Sequence, residues 1–484
     1  MAAETPLPES ERPVIVWFRD DLRLSDNPAL TAAANCGRRI ICVFVHDEES
    51  AGVRPLGGAA RWWLHGALQE LDDALRALGG SLCVHKGVAS GVIPHLAADS
   101  NAAAVYWNRR YGAAERRVDE AVKTTLKAQG IEAKSFNGHL LYEPWSIKTK
   151  SGTPFRVFSA FWRAAREAGE PGQPLGVPSR LNLFNGPCGQ TSTTGVQIAD
   201  LALEPSSPDW AGGLRSNWRR GEAGAQAQLE IFLEEHLNEY ADLRDFPDRS
   251  ATSRLSPYLR FGNISPRQLS HATEAAAHAT NQALQRNLEK FQSELGWREF
   301  SYHLLYYNPE MGSENLQTRF DGMPWRADAD ALRAWQVGKT GYPIVDAGMR
   351  ELWTTGWMHN RVRMVVASFL VKHLLIDWRQ GETWFWDTLV DADPANNAAS
   401  WQWVAGSGAD AAPYFRVFNP VLQGEKFDPD GRYVKRWLPE LDGVSSSVVH
   451  RPWQLHNKVE AYAERIVEHD RARQRALGAF KGLG

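Results

Sequence analysis

The segment from Asn396 to Trp403 concentrates side chains that could bind a flat, polar ligand. Within these eight residues it carries two adjacent amides, Asn396 and Asn397, and two indoles, Trp401 and Trp403. Amides offer hydrogen-bond donors and acceptors in one plane, and indoles offer wide apolar faces. Because buried amides must find hydrogen-bond partners, we predict that this segment binds a planar ligand with hydrogen-bonding edges.

A second group of candidate side chains lies on one face of a predicted helix. Glu294, Trp297 and Arg298 stand at positions i, i+3 and i+4, which are neighbours on a helix. A carboxylate beside an indole on an otherwise apolar helix must be paired or functional if it is buried. The alternative is an exposed ion pair between Glu294 and Arg298, worth roughly a few tenths of a kcal/mol.

Asp391 and Asp393 form an Asp-x-Asp pair that could bind a cation. A metal site would require further carboxylates or histidines at suitable spacing, and the sequence has none nearby. We therefore predict no metal site and assign the pair a basic partner such as Arg363.

Three hydroxyls close together, those of Thr252, Ser253 and Ser256, could bind a phosphate at a helix start. An ordinary helix-capping run explains the same pattern equally well. The segment 338–340, Gly-Lys-Thr, resembles the end of a P-loop, but Arg333 stands where that motif requires glycine. No G-x-G-x-x-G follows the first predicted strand either. We therefore expect neither a nucleotide triphosphatase nor a standard dinucleotide fingerprint.

Composition limits the classes of protein that remain. The 484 residues include 54 basic and 57 acidic side chains, a formal net charge of -3, which argues against coating nucleic acid by bulk charge but permits a local basic patch. Cys36, Cys42, Cys83 and Cys188 lack zinc-ligand spacing, and we predict four reduced, buried thiols in a cytosolic protein. The N-terminus is polar and acidic, and no apolar stretch approaches the length of a membrane span. We expect a cytoplasmic protein that does not contact membranes.

The first 140 residues alternate short β-branched runs with helical patterns. Strands separated by helices of ten or more residues predict a parallel sheet with crossover connections, which binds ligands at the carboxyl ends of its strands. After the first strand, Asp26 or Asn27 is expected to cap a helix that has Pro28 just inside it. The predicted strands are 14–18, 40–45, 81–85 and 103–107, and the clearest helix is 60–78.

The composition and the periodicity of the sequence change after this region. From about residue 167 to 224 it is rich in Gly, Pro, Ser and Thr without periodicity, which indicates a connector that wraps over the surface. Helical periodicity dominates afterwards, at 226–239, 265–284, 287–307, 345–353 and 361–376. We predict an α/β N-terminal domain with a Rossmann-like parallel sheet at 1–140, a connector at 141–224 and an all-α domain at 225–484.

Together these residues resemble the photolyase/cryptochrome family. The resemblance runs in family order from residue 14 to about 455, which is nearly the whole chain, and most closely matches bacterial cyclobutane pyrimidine dimer photolyases of a branch near the plant cryptochromes. The segments that carry it are WFRDDLRLSDNPAL, TSRLSPYL, ELGWREF, GKTGYPIVDAGMRELWTTGWMHNRVRM, DADPANNAASWQW and DAAPYFRVFNPVLQGEKFDPDG.

The resemblance implies a folded FAD in the helical domain. Asn397 falls where the family places the residue that faces flavin N5, and an amide there adds no charge beside a reduced flavin. The Arg363 and Asp391 pair would offset the anionic reduced ring. The implied FAD-binding residues are Tyr240, Thr252, Ser253, Arg254, Leu255, Ser256, Arg298, Asn360, Arg363, Asp391, Ala392, Asp393 and Asn397.

The implied function is light-driven repair of cyclobutane pyrimidine dimers in UV-damaged DNA, by electron transfer from excited reduced FAD to a flipped-out dimer. Glu294 would hydrogen-bond the dimer and stabilise its radical anion. Arg361 and Arg416 would contact flanking phosphates, which predicts salt-sensitive binding. The remaining implied lesion-binding residues are Trp297, Asn360, Met364 and Trp403.

Two further assignments follow from the resemblance alone. Trp401, Trp378 and Trp325 fall at the positions of the family's electron-transfer chain, although pattern alone would make Trp378 and Trp325 core residues. A second, antenna chromophore is common in the family, and Asn108 and Glu115 lie near its folate contacts, although an exposed helix start explains the same segment. We favour methenyltetrahydrofolate over a deazaflavin.

The alternative function is a blue-light receptor without repair activity. The chain carries amides, Asn360 and Asn397, where plant cryptochromes carry Asp, and it ends at Gly484 without a long tail. Both features favour the repair enzyme, which we expect to act as a monomer.

Overall fold

Five parallel strands form the sheet of the N-terminal domain. The structure is a computed structural model that describes residues 11–186, 195–278, 282–410, 415–457 and 459–483. The strand order is β3-β2-β1-β4-β5, so the chain starts in the middle of the sheet, winds to one edge and then crosses to the other. The strands are β1 Val14–Phe18, β2 Ile40–His46, β3 Leu82–Lys86, β4 Ala104–Asn108 and β5 Glu132–Phe136.

Helices cover both faces of this sheet because the side chains of β1 alternate between two apolar cores. Val14, Val16 and Phe18 pack in the core that also holds residues of α1 and α2, whereas Ile15 and Trp17 pack in the core shared with α3 and α4. These helices are α1 Pro28–Asn35, α2 Gly58–Ala77, α3 Ala89–Asp99 and α4 Ala113–Ala128.

The four predicted strands are confirmed, and the fifth, β5, was not predicted. β5 reads EAKSF and lies at the edge of the sheet, where none of its side chains is fully buried, so it lacks the apolar run of a buried strand. At the start of α1 the Asn27 side chain accepts a hydrogen bond from the Leu30 amide, with Pro28 in the first turn. Asn27 is therefore the cap, one of the two residues proposed for this position.

The predicted connector contains α5 (Phe158–Glu167) and α6 (Gly212–Asn217). Among the described residues between them, Leu183 forms a β-bridge with Ile40, and the Val196 amide donates to the Val84 carbonyl. The boundaries at residues 140 and 224 stay a prediction.

Helices build the rest of the molecule, as predicted. Most observed helices overlap the predicted ones with shifted ends, because capping and tertiary contacts rather than periodicity decide where a helix stops. The predicted helices 226–239 and 361–376 each contain a π-helical turn, Phe232–His236 and Phe369–His373. The helices are α7 Glu222–Ile231, α8 Tyr240–Leu243, α9 Ser256–Arg260, α10 Pro266–His278, α11 Gln282–Tyr307, α12 Ala329–Gln336, α13 Pro343–Thr355, α14 Asn360–Ser368, α15 Trp378–Thr388, α16 Asn396–Ala405, α17 Pro420–Phe427, α18 Arg432–Trp437 and α19 His469–Lys481.

The prediction of four reduced, buried thiols is wrong for two of them. Cys36 is exposed, and Cys83 is disulfide-bonded, whereas Cys42 is a buried free thiol. Burial raises the pKa of Cys42 to about 12, so that thiol is neutral. Cys188 lies outside the described residues.

Candidate active site

One large cavity of about 630 Å³ opens in the helical domain. It lies between α8, α9, α11, α14 and α16 and brings together side chains that are far apart in the sequence. The predicted site residues that line it are Tyr240, Ser253, Leu255, Ser256, Glu294, Trp297, Arg298, Asn360, Arg361, Arg363, Met364, Asp391, Ala392, Asp393, Asn397, Trp401 and Trp403.

Two helix N-termini point polar groups at this cavity. At α14 the Nδ1 atom of His359 accepts a hydrogen bond from the Arg361 amide at 3.2 Å. At α16 the Oδ1 atom of Asp393 accepts from the amides of Ala395 at 2.9 Å and Asn396 at 2.8 Å. Protein side chains thus already cap these amides at both helix starts.

An ion pair predicted from the sequence lies on the cavity wall. Asp391 Oδ2 accepts hydrogen bonds from Arg363 Nη2 at 2.8 Å and from Ser256 Oγ at 2.6 Å. The other oxygen, Oδ1, is buried and has no hydrogen-bond partner among the described residues. A buried acceptor of this kind calls for a donor from a ligand, and the N–H and O–H groups of FAD are of the required chemistry.

Glu294 is held by cations other than the one proposed from helix spacing. Its Oε1 atom lies 2.5 Å from Arg244 Nη1 and 2.9 Å from Lys290 Nζ. Arg298 instead turns inward and donates to the His139 carbonyl and to His139 Nε2, both at 2.9 Å. The alternative of an exposed Glu294–Arg298 pair is therefore wrong, because a buried acceptor on another segment competes for the arginine.

The aromatic wall of the cavity depends on a residue that the sequence did not suggest. Phe158 of α5 stacks on Trp297 with 3.8 Å between ring centroids and 11° between planes. The Phe158 amide donates to Asp410 Oδ2 at 3.0 Å, and Asp410 also lines the cavity. One face of the Trp297 indole is thus covered by protein, and only the other face and the ring edges can meet a ligand.

Arg361 is held at the cavity by two contacts. Its Nη2 atom lies 2.8 Å from Asp245 Oδ2, and its guanidinium lies 4.4 Å from the centroid of the Phe427 ring. The carboxylate and the ring orient the guanidinium, and the ion pair with Asp245 is partly exposed, so an anionic ligand group could replace the carboxylate at modest cost.

A buried network beneath the cavity joins it to the N-terminal domain. The Tyr302 hydroxyl donates to Asp393 Oδ2 at 2.5 Å. Arg260 donates to the Ala392 carbonyl at 2.7 Å and pairs with Asp20 at 3.0 Å. Burial alone would raise the pKa of Asp20, but the positive charges of Arg260 and Arg110 lower it to about 2. No sequence motif predicts these contacts, since the residues come together only when the two domains pack.

The three tryptophans of the implied electron-transfer chain differ in burial. Trp401 lines the cavity and is 2% exposed, and its indole Nε1 has no hydrogen-bond partner among the described residues. Trp378 is fully buried, and its Nε1 donates to Asn315 Oδ1 at 2.9 Å. Trp325 is only partly buried. The set therefore includes one residue at the cavity and one that reaches the surface.

Three predicted cofactor or DNA residues do not line the main cavity. Thr252 precedes the wall formed by Ser253, Leu255 and Ser256. Arg254 turns away, with its guanidinium 4.5 Å from the ring of Trp218. Arg416 is exposed and lines a separate cavity of about 70 Å³.

The two predicted antenna residues lie in the N-terminal domain. Asn108 is 2% exposed, and its Nδ2 atom donates to Asp21 Oδ2 at 2.6 Å and to Asn27 Oδ1 at 2.9 Å. Glu115 is partly exposed in the first turn of α4. The Nδ2 atom of Asn108 is therefore committed to protein partners, whereas its buried Oδ1 atom has no hydrogen-bond partner among the described residues.

Within the part of the chain that the structure describes, no helix is both long and apolar enough to cross a membrane.

Comparison with known proteins identifies relatives along the whole chain. The family model described as DNA photolyase matches residues 14–179, and the one described as the FAD binding domain of DNA photolyase matches residues 291–482. A deoxyribodipyrimidine photo-lyase of Agrobacterium fabrum is 48% identical, over 97% of this chain and 98% of that protein. Cryptochrome-1 of Arabidopsis thaliana is 38% identical, over 92% of this chain and 65% of that protein.

A crystal structure of a bacterial class III photolyase from Agrobacterium tumefaciens has the same fold. It superposes with a TM-score of 0.92 and 46% sequence identity, covering 100% of this chain and 99% of that one. The helical half of the molecule, with its polar cavity, is thus an FAD-binding domain of the photolyase type. The chain belongs to the DNA photolyase/cryptochrome family.

Proposed function

We propose that this protein repairs cyclobutane pyrimidine dimers in DNA, using light absorbed by a bound FAD. The observation that carries the proposal is that one cavity contains two chemically different walls. One wall holds the Asp391–Arg363 pair and the amide of Asn397, and the other holds Glu294 beside the rings of Trp297 and Trp403. The first suits a flavin, and the second suits two linked pyrimidines of one strand that are flipped out of a duplex.

FAD would be held mainly by the polar wall. The unpartnered Oδ1 of Asp391 would accept from the cofactor, while Arg363 stays paired to Oδ2 and keeps the local charge balanced. The hydroxyls of Ser253 and Ser256 would meet its phosphates and ribityl chain, with Tyr240 behind them. When bound, FAD supplies the light absorption and the electron that splitting the dimer requires.

The lesion would be held by the second wall. Glu294 has one oxygen occupied by Arg244 and Lys290, which leaves Oε2 for a hydrogen bond to a pyrimidine. The free face of Trp297 and the ring of Trp403 would stack on the bases, and Met364 would fill the space beside them. Extruding a damaged base costs only a few kcal/mol, since its stacking is already weakened.

DNA would approach over exposed cations near the cavity mouth. Arg361 would exchange Asp245 for a phosphate, and Arg416 would contact the backbone from its exposed position. Because such contacts release counterions, affinity should fall steeply as salt rises.

Electrons would reach oxidised FAD through Trp401, Trp378 and Trp325. This assignment agrees with Trp401 on the cavity wall and Trp325 partly exposed. An antenna chromophore, methenyltetrahydrofolate rather than a deazaflavin, is part of the same proposal. Asn108 would contribute through its buried Oδ1 atom, since its Nδ2 atom is hydrogen-bonded to Asp21 and Asn27.

The second candidate is a blue-light receptor, which the similarity to Cryptochrome-1 of Arabidopsis thaliana favours. One experiment distinguishes the two. The purified protein is reduced chemically and mixed with UV-irradiated oligothymidine. Recovery of thymine absorbance is then followed under blue light, with a dark sample as control. Recovery only in the light supports repair, and no recovery with FAD bound and reduced would reject repair in favour of the receptor.

A further inference from the structure

A single acidic residue fixes the amide of Asn397. The Nδ2 atom donates to the backbone carbonyl of Glu382 at 3.0 Å and to Glu382 Oε1 at 2.8 Å. A carbonyl and a carboxylate oxygen only accept hydrogen bonds, so together they take both N–H groups of the amide. The remaining polar atom of Asn397 is Oδ1, an acceptor, and it is the atom left to bind a ligand in the cavity.

The Glu382 carboxylate is held in turn by an arginine from the other domain. Arg54 Nη1 lies 2.7 Å from Oε1 and Nη2 lies 2.9 Å from Oε2, which is the two-pronged geometry of a strong guanidinium–carboxylate pair. The Glu382 side chain is only 4% exposed, so Arg54 supplies the counter-charge that a buried carboxylate needs.

The loop that carries Arg54 is fixed on α15. The Arg54 guanidinium lies 4.1 Å from the ring centroid of Trp386, and Trp386 Nε1 donates to the Pro55 carbonyl at 2.8 Å. A Cβ at Gly57 would lie 2.1 Å from the Trp386 carbonyl, so only glycine allows this close approach. The Gly58 amide donates to Asp387 Oδ1 at 2.8 Å.

We propose that Arg54 is a positioning residue for the flavin, acting across the domain interface through Glu382. By pairing Glu382 it holds the Asn397 amide with Oδ1 towards the cofactor. An acceptor there favours a flavin whose ring nitrogen carries hydrogen, which is the reduced form. The N-terminal domain thereby stabilises the redox state on which repair depends. The inference rests on the proposed function for the placement of FAD beside Asn397.

The test compares full-length flavoproteins that carry Arg54→Met or Asp387→Ala. Asp387 is exposed and contacts the same loop without touching Glu382, so its loss is a matched control for damage to the interface. After chemical reduction, the dark reoxidation rate of bound FAD in air and its midpoint potential are measured. We expect Arg54→Met to reoxidise about fivefold faster, which is the size of effect that loss of the one hydrogen bond between the flavin and Asn397 Oδ1 would produce. Asp387→Ala should behave as wild type.

Two further variants make the result decisive. Glu382→Gln keeps the volume of the side chain but gives it a donor, so the Asn397 amide can turn, and reoxidation should again be faster. Arg54→Lys keeps the charge and should restore part of the wild-type behaviour. Equal rates in wild type, Arg54→Met and Glu382→Gln at equal FAD content would overturn the proposal. If Arg54→Met does not fold, Glu382→Gln decides alone, and a wild-type rate in it overturns the proposal.

The outcome is separate from that of the repair assay. Faster reoxidation in Arg54→Met with no repair by wild type would keep the positioning role and reject repair. Repair by wild type with unchanged reoxidation in the variants would keep the repair function and reject the positioning role. Purified wild type without FAD would reject both.

Discussion

Replacing Glu294 by alanine should separate repair from DNA binding. Arg244 and Lys290 hold Oε1 at 2.5 and 2.9 Å, which leaves Oε2 to bond a pyrimidine. A hydrogen bond to a charged group contributes about 1.5 to 3 kcal/mol, and each 1.4 kcal/mol is about tenfold in rate. We therefore expect dimer splitting to slow roughly 10- to 100-fold. DNA affinity should fall by less than about tenfold, since phosphate contacts supply most of it.

The assay measures both quantities on the same protein. Thymine recovery from UV-irradiated oligothymidine reports splitting by the chemically reduced enzyme, and fluorescence anisotropy of a labelled, damaged duplex in the dark reports affinity. Glu294→Gln is the matched variant, because it keeps the volume and one acceptor oxygen while losing the charge, and it should retain more repair than Glu294→Ala. Equal losses of repair and affinity in Glu294→Ala, or undiminished repair, would refute the role assigned to this carboxylate.

Three other predictions address the electron path, the pH dependence and the cofactor. Trp378→Phe should largely abolish photoreduction of bound FAD, followed by transient absorption, yet leave repair by chemically reduced protein intact; equal loss in both would contradict the assignment. Burial raises the pKa of Glu351 from 4.5 to about 7 although the Tyr433 hydroxyl, 2.6 Å away, opposes this. The folded state then binds more protons than the unfolded state between these pH values. The free energy of unfolding should therefore fall by about 3 kcal/mol as pH rises through that window. Glu351→Gln should flatten this slope in urea titrations, and an unchanged slope would contradict the cause. Asp391→Asn should weaken the pair with Arg363 and lower the FAD content, measured as the ratio of flavin to protein absorbance; wild-type content would count against the site.

The strands and helices whose apolar residues form a regular pattern along the sequence were predictable. The strands at 14–18 and 40–45 have runs of buried residues, and their spacing from the next helices required parallel crossovers. β5 escaped prediction because an edge strand keeps its side chains partly exposed and leaves no apolar run. The Asp391–Arg363 pair was predictable because two neighbouring carboxylates without further metal ligands need a cation.

Partners from distant segments were not predictable. Helix spacing predicts Arg298 as the neighbour of Glu294. In the structure Glu294 pairs instead with Arg244, at the end of another helix, and Arg298 donates to His139. Phe158, which covers one face of Trp297, lies in a stretch without any motif.

The sequence by itself determined the family, the two kinds of domain and 17 of the 40 residues that line the cavity, because local patterns and long motifs depend only on neighbours in the chain. Only the tertiary structure decided which atoms of those side chains remain free. Asp391 keeps one unpartnered oxygen. Asn397 keeps an acceptor, because Glu382, which is held by Arg54, accepts from both of its donors. Hydrogen-bond capacity is consumed by whichever groups come close in space, and packing of two domains brings together residues that are more than 300 positions apart.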